Sequence, residues 1–190
     1  MTDTAWETLS NQAIGVAGIF YFLALMVHLA EWASMRAPKA TREMARNEAG
    51  QARGGVAVAT GGPPSAGEGA EAAAARSQRV AFLGRLGVIL TIIACAGHFV
   101  SLVGRGMAAD PNRVPWGNMY EFTVSGSFFV VLMYLALHRK YALAWMAPIV
   151  TGFVVTVLMV AVIWLHSEVA PLTEALDSYW LVIHVISAVI

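Results

Sequence analysis

Trp180 and His184, near the end of the chain, have the residue types and the spacing of a ligand-binding pair. They are four positions apart, so a helix would place them on one face, one turn from each other. Ser187 and Ala188 continue that face with small side chains and would leave room for a flat ligand beside the imidazole. Imidazole is an axial ligand of haem iron, and the hypothesis is that His184 ligates haem at the outer membrane surface. The alternative is a histidine that hydrogen-bonds a neighbouring helix.

Arg113 begins a second group of candidate residues, with the sequence RVPWGNMYEF. Asn118 is predicted to cap a helix, and Glu121 at the third helical position would complete a capping box. Trp116 and Tyr120 are typical either of the aromatic belt at a membrane boundary or of a ligand-contacting loop. Because Arg113 could pair with a carboxylate such as a propionate, we favour the ligand-contacting loop.

His98 is a third candidate, and it lies in the second apolar segment. It belongs to a stripe of small residues at three- and four-residue spacing: Ala94, Gly97, Ser101 and Gly104. Such stripes are typical of helix-packing faces, which is the favoured interpretation, although polar groups inside a span are costly and often functional. His28, in the first apolar segment, could be a ligand on the inner side, but no second histidine is expected at its depth.

The composition of the chain is that of an integral membrane protein. Of its 190 residues, 58% are hydrophobic and 13% are charged, whereas soluble domains average about half apolar and a quarter charged. The 12 basic and 12 acidic residues give no net charge, which argues against a nucleic-acid partner. The single cysteine, Cys95, excludes an internal disulfide and a Cys-x-x-Cys pair.

Four segments are long and apolar enough to cross a lipid bilayer: 13–33, 80–104, 122–137 with its flanks, and 141–165. A fifth begins at Tyr179 and is too short to cross before the sequence stops, so the C-terminus is expected to be incomplete. The prediction is an all-α polytopic transmembrane helix bundle with four full spans and the start of a fifth.

The distribution of charge predicts the orientation of the spans. Most Lys and Arg residues lie in the loop between the first two spans and in the loop between the third and fourth, and such loops face the cytoplasm. The N-terminus is therefore predicted to lie outside. Because Asp3 and Glu7 take the place of a positive cluster near the N-terminus, no cleavable signal peptide is expected.

The chain divides into three predicted parts. Residues 1–36 form an N-terminal transmembrane helix. Residues 37–79 form a cytoplasmic segment that is basic at first and then, over 54–75, a flexible linker of Gly, Ala and Pro. Residues 80–190 form the transmembrane bundle.

Two motifs resemble those of the CcsA/ResC-type cytochrome c assembly proteins, the membrane component of the System II haem-attachment machinery. The sequence VPWGNMYEF at 114–122 is similar to the family's Pro-Trp-x-Asn-x-Tyr-Glu segment. The sequence LDSYWLVIHV at 176–185 is similar to its Leu-x-Ser-x-Trp-Leu-x-x-His-Val segment. The order of the motifs and the pair of spans between them also agree with the family.

The resemblance implies that haem is received at the outer face and presented to the Cys-x-x-Cys-His motif of an apocytochrome, where thioether bonds form. It gives His184 the role of an axial ligand, with Trp180, Trp116, Tyr120 and Arg113 as candidate pocket walls. Glu121 and His98 are further candidate cofactor-binding residues. The implied partners are a second System II membrane subunit of the ResB type and apocytochrome c. The implied location is the plasma (inner) membrane.

This sequence departs from the family pattern in lacking the Trp-Gly-x-x-Trp-x-Trp-Asp segment and a second outer histidine. The chain alone would therefore lack half of the haem site, and whether it is an enzyme by itself stays open. The alternative function is a non-catalytic membrane subunit. It would be a b-type haem anchor, for which His98 and His184 both lie toward the outer side, or a small-solute transporter.

Overall fold

The computed structural model describes residues 2–36 and 66–169 together with Trp180, Ile183, His184 and Ser187. Within these residues the chain forms four α-helices and no strand. They are α1 (Asp3–Arg36), α2 (Ala66–Ala108), α3 (Met119–Leu137) and α4 (Ala147–Val160). A 3-10 turn, Leu143–Met146, precedes α4, and a π-helical turn, Ala161–Leu165, continues it.

Four helical segments of the described chain are long and apolar enough to cross a membrane: Asp3–Met35, Ala73–Ala108, Met119–Leu137 and Leu143–Leu165. Large apolar side chains such as Ile19, Phe22 and Phe99 are half exposed on their outer faces, as lipid-facing residues are. The prediction of an all-α polytopic bundle with four spans is therefore confirmed, and the chain is a multi-pass membrane protein. The outward orientation of its N-terminus stays a prediction.

α1 is a full member of the bundle rather than a separate N-terminal span. Its buried face repeats every three or four residues through Ile14, Ala17, Tyr21 and Ala24, and its most extensive contacts are with α2. Among the described residues α1 and α2 therefore pack as parts of one bundle, and the three-part division of the chain stays a prediction.

α2 begins at Ala66, inside the stretch predicted to be a flexible linker. Alanine has the highest helix propensity of all residues, and the alanine-rich stretch over 70–75 continues directly into the apolar span, so the helix extends back beyond the membrane segment. Residues 37–65, which hold the rest of the predicted linker, lie outside the described residues. Most of the predicted fifth span also lies outside them.

The bundle has two ends that matter for function. The Glu121 end holds the start of α1, the last turn of α2, the start of α3 and residues 166–169. The His138 end holds the last turns of α1 and α3 and the start of α4, where Ala142 turns the chain with a positive φ of 51°. The Glu121 end is the one that the charge distribution predicts to lie outside.

Candidate functional site

The segment before α3 is built around a helix cap. Asn118 has extended backbone angles, and its side-chain oxygen accepts a hydrogen bond from the backbone N–H of Glu121 at 2.8 Å. The predicted N-cap is therefore confirmed. The Glu121 carboxylate accepts instead from the N–H of Gly117 at 2.7 Å, one residue earlier than in a capping box. Ser125 also donates to the carbonyl of Pro115 at 3.1 Å, which ties the segment to α3.

Glu121 is the centre of a buried charge cluster. Its carboxylate accepts from Nη1 of Arg113 at 2.8 Å and from Nε of Arg105 at 3.3 Å. Glu121 is 1% exposed and Arg105 is 2% exposed. Because a buried charge is tolerated only when it is paired, the three side chains depend on one another. We call Glu121, Arg105 and Arg113 the Glu121 cluster.

Arg105 connects this cluster to the other elements of the same end. Its Nη1 lies 3.7 Å from a carboxylate oxygen of Glu7 in α1, and its Nη2 donates to the carbonyl of Ser167. Its guanidinium also lies over the ring of Tyr120, 4.8 Å from the centroid, which is within the range of a cation–π interaction. Arg105 therefore holds α1, α2, α3 and residues 166–169 together.

Arg105 was not among the residues singled out from the sequence. The available signal was its spacing, because Arg105 continues the face of α2 that carries His98 and Ser101. A cation on the buried face of an apolar helix predicts a buried anion opposite. The sequence alone does not say which of several carboxylates provides it.

His98 is buried in the helix-packing face of α2, and both of its ring nitrogens are engaged. Nε2 lies 3.0 Å from the carbonyl oxygen of Val124, and Nδ1 lies 3.4 Å from the hydroxyl of Tyr21. The ring of Phe128 packs against the imidazole edge to face. These contacts connect α1, α2 and α3 and are those of a structural histidine.

The rest of the small-residue stripe on α2 packs against α1, as the sequence favours. The hydroxyl of Ser10 donates to the carbonyl of Ser101 at 2.8 Å. A Cβ added to Gly104 would lie 3.1 Å from the carbonyl oxygen of Trp6. Small side chains at these positions therefore allow the close approach of the two helices.

An apolar cavity of about 1160 Å³ lies between α2 and α3, beside the Arg113–Trp116 stretch. Its walls include Arg113, Trp116, Phe99, Phe128 and Phe129. The polar side chains of the wall are concentrated at the Glu121 end, and the aromatic rings extend from there toward the middle of the bundle.

The predicted pocket walls divide into two groups in the structure. Arg113 and Trp116 line the apolar cavity. Tyr120 and Glu121 are 2% and 1% exposed, and they lie behind the wall rather than in it, as does His98. Tyr120 packs edge to face on His166, with 5.1 Å between ring centroids.

His184 and Trp180 are both exposed, Trp180 by 61%. Most of the residues around them, including the segment that leads into this motif, lie outside the described residues. The ligand role of His184 and the contribution of Trp180 to the pocket therefore stay predictions.

Comparison of the chain with protein-family models, with curated proteins and with solved structures finds no match. The resemblance to the cytochrome c assembly proteins therefore depends on the residues of the two motifs.

Proposed function

We propose that this chain acts in cytochrome c biogenesis, as a haem-handling protein of the CcsA/ResC type that presents haem at the outer membrane face for attachment to apocytochrome c. The observation that carries the proposal is the apolar cavity edged by Arg113 and Trp116. These residues belong to one of the two motifs that resemble the family, and they lie at the end of the bundle predicted to face outward.

The residues present fit a flat apolar macrocycle that carries acidic side chains. Trp116, Phe99 and Phe128 offer aromatic surface to such a ring. Arg113 stands in the same wall, where a propionate would find a cation. When bound, haem supplies the vinyl groups to which the cysteine thiols of an apocytochrome add.

The Glu121 cluster supports this role by positioning Arg113. Glu121 binds one edge of its guanidinium, and the Gly117 N–H shares the same carboxylate oxygen at 2.7 Å. A Cβ on Gly117 would overlap the Arg113 guanidinium, so glycine is needed for this arrangement. The side chain that would meet a propionate is thus held in a defined orientation before any ligand arrives.

In this proposal His184 would hold the haem iron through its imidazole, and Trp180, four positions earlier, would offer aromatic surface to the ring. The partners are a ResB-type membrane subunit and apocytochrome c, and the membrane is the plasma (inner) membrane. A b-type haem anchor that uses His98 is less well supported, because coordination by His98 would cost it the contacts with Val124 and Tyr21.

The experiment that tests the proposal is the His184→Ala substitution in the full-length protein. We expect purified protein to lose bound haem at least about tenfold, as metal sites do when ligation is weakened, and to recover it on addition of free imidazole. The measurement is the Soret absorbance per protein. His166→Ala, an exposed histidine at the same end, is the matched control. Unchanged haem content in His184→Ala would contradict the ligand assignment.

A second substitution tests the cavity. Trp116→Ala should lower haem occupancy, because it removes an aromatic wall of the cavity. Trp145→Ala is the matched control, since Trp145 is 57% exposed at the opposite end of the bundle. Equal haem occupancy in the two variants would remove the cavity from the proposed site.

A further inference from the structure

A second cavity, of about 940 Å³, lies at the His138 end of the bundle. This is the end that the charge distribution predicts to face the cytoplasm. α2 contributes wall residues between positions 73 and 92, and the last turns of α1 and α3 and the start of α4 close the other sides. The cavity therefore follows α2 over several turns.

The sequence of α2 indicates where the membrane boundary crosses this cavity. Arg85 and Arg105 bracket a stretch, 86–104, that contains no Lys, Arg, Asp or Glu. A helix over 86–104 is about 28 Å long, which is close to the ~30 Å thickness of the hydrocarbon core. On α3 the uncharged stretch likewise ends shortly before Arg139. Arg85 and Arg139 therefore both lie near the boundary, at the depth of lipid headgroups.

The α2 wall and its neighbours differ on the two sides of that boundary. At the boundary and outside it, three exposed cations line the cavity, and we call them the cavity arginines: Arg76, Arg85 and Arg139. On the core side, α2 lines it with Val88, Ile89 and Ile92. A molecule that fills the cavity would therefore meet charge at one end and hydrocarbon at the other, so it must be amphiphilic.

The cavity arginines leave positive charge available to a ligand. No ion pair of these three side chains is seen among the described residues, whereas Arg105 and Arg113 at the other end both pair with Glu121. A guanidinium that is not neutralised by the protein attracts an anion, and it binds phosphate through two parallel hydrogen bonds. The complementary polar group is therefore a phosphate.

One carboxylate, Glu31, also lines the cavity among the described residues. It is 8% exposed, and it contacts the imidazole of His28 at 3.4 Å rather than any of the cavity arginines. Three guanidinium groups against one carboxylate still leave the wall with an excess of positive charge.

The cavity arginines border the cavity instead of converging on one point. Arg76 and Arg85 are nine positions apart, which places them on opposite edges of the helix face that lines the cavity. Arg76 also lies about 13 Å farther from the hydrocarbon core along the helix axis. Arg85 and Arg139 are therefore the two that a phosphate at the membrane boundary would contact, and Arg76 acts from farther away.

We propose that this cavity binds an anionic phospholipid of the surrounding leaflet, with its phosphate at Arg85 and Arg139 and an acyl chain along the apolar part of the α2 wall. Basic pockets between transmembrane helices on the cytoplasmic side bind anionic headgroups in this way. The proposal goes beyond haem handling and does not depend on it, because its arginines lie at the opposite end of the bundle from Arg113 and Trp116.

The test uses the purified full-length protein in dodecylmaltoside micelles, titrated with phosphatidylglycerol or with phosphatidylcholine of the same acyl chains. Native mass spectrometry measures the bound lipid. We expect the parent to bind phosphatidylglycerol more tightly. Arg85→Gln and Arg139→Gln should each weaken that binding about fivefold, the effect of one cation near the membrane surface. Arg76→Gln should weaken it less, because Arg76 lies farther from the boundary.

Arg79→Gln is the matched control. Arg79 is exposed on α2 between Arg76 and Arg85, but it lies outside the lining of the cavity, so this variant should bind phosphatidylglycerol as the parent does. An equal loss of affinity in Arg79→Gln and Arg85→Gln would overturn the proposal and would indicate a diffuse attraction to the basic surface.

Inorganic phosphate tests the part of the acyl chain, because it offers the same anion without hydrocarbon. We expect it not to displace phosphatidylglycerol at equal concentration, and displacement would overturn the lipid assignment in favour of a soluble anion. Equal affinity of the parent, Arg85→Gln and Arg139→Gln for phosphatidylglycerol would also overturn the proposal. None of these results changes the haem measurements on His184→Ala, so the two proposals can fail separately.

Discussion

The two ends of the bundle each bury a carboxylate within a span, and they hold it in different ways. Glu121 accepts hydrogen bonds from Gly117, Arg113 and Arg105 at 2.7, 2.8 and 3.3 Å. Glu31 is in contact with the His28 imidazole at 3.4 Å, and no other hydrogen bond or ion pair of its carboxylate is seen among residues 2–36 and 66–169.

The difference lies in how many parts of the chain each buried carboxylate joins. At the Glu121 end the polar atoms are used to join four parts of the chain, and the adjoining cavity is mostly apolar. At the His138 end the Glu31 carboxylate contacts a histidine of its own helix. Buried polar atoms without a hydrogen-bond partner in the described chain occur at both ends, among them the Tyr120 hydroxyl and Oγ of Ser167 at the Glu121 end and Nε2 of His28 and the Tyr134 hydroxyl at the other. The first arrangement therefore joins several elements, whereas the second joins two residues of one helix.

Glu121→Gln is expected to cause the largest loss of stability, and it tests the difference between the two ends most directly. The substitution leaves the buried Arg105 guanidinium and the partly buried Arg113 guanidinium without their shared anion, which should cost about 3–5 kcal/mol in the free energy of unfolding. Reversible unfolding in mixed detergent micelles would measure this loss, and Glu168→Gln, which changes an exposed carboxylate near the same end, is the control.

Glu31→Gln, at the other end, should cost about 1 kcal/mol in the free energy of unfolding, the value of one hydrogen bond. Equal losses in Glu121→Gln and Glu31→Gln would remove the distinction between the two ends.

Gly87→Ala should have an intermediate effect, at the His138 end. The new Cβ would overlap the His28 imidazole, and such overpacking costs typically 1–3 kcal/mol. Gly15→Ala is the matched control, because a Cβ there meets nothing within 4 Å, and we expect it to be neutral or slightly stabilising. A Gly87→Ala variant as stable as Gly15→Ala would show that His28 is not confined against α2.

Asn118→Ala should have the smallest effect of the three. It removes the side-chain acceptor for the Glu121 N–H at the start of α3, and the loss of an N-cap costs about 1 kcal/mol. The same unfolding measurement applies, and Asn118→Asp should retain most of the stability because aspartate also caps helices. If Asn118→Ala destabilised as strongly as Glu121→Gln, the cap rather than the charge cluster would be the main support of this end.

The features that could be predicted from the sequence are those whose cause is local. The N-cap at Asn118 was predicted because the capping residue and the N–H it binds are three positions apart. The small-residue stripe on α2 was predicted from its spacing. The start of α2 at Ala66 differs from the prediction, because the Gly and Pro content of 54–75 predicts a flexible linker whereas the alanines near its end favour a helix.

The contacts of the candidate site could be predicted only in part, because their partners are distant in the chain. Arg113 is predicted to meet a ligand carboxylate, and in the structure it contacts Glu121, for which the sequence predicts a place in a helix cap and in the cofactor site but no pairing with Arg113. For His28 the sequence predicts no second histidine at the same depth. The structure instead places Tyr134, from a different helix, beside it in the lining of a cavity of about 940 Å³.

The sequence by itself determined that this is an all-α membrane protein with four spans, since span length and hydropathy are set by the thickness of the bilayer and by the cost of exposing polar backbone to lipid. Only the tertiary structure decided which charges are buried together. Arg105 and Glu121 come from different helices, and the hydrogen bond from Ser10 to Ser101 spans 91 positions. Pairings of this kind depend on how the helices pack, and apolar periodicity along any one helix does not specify them.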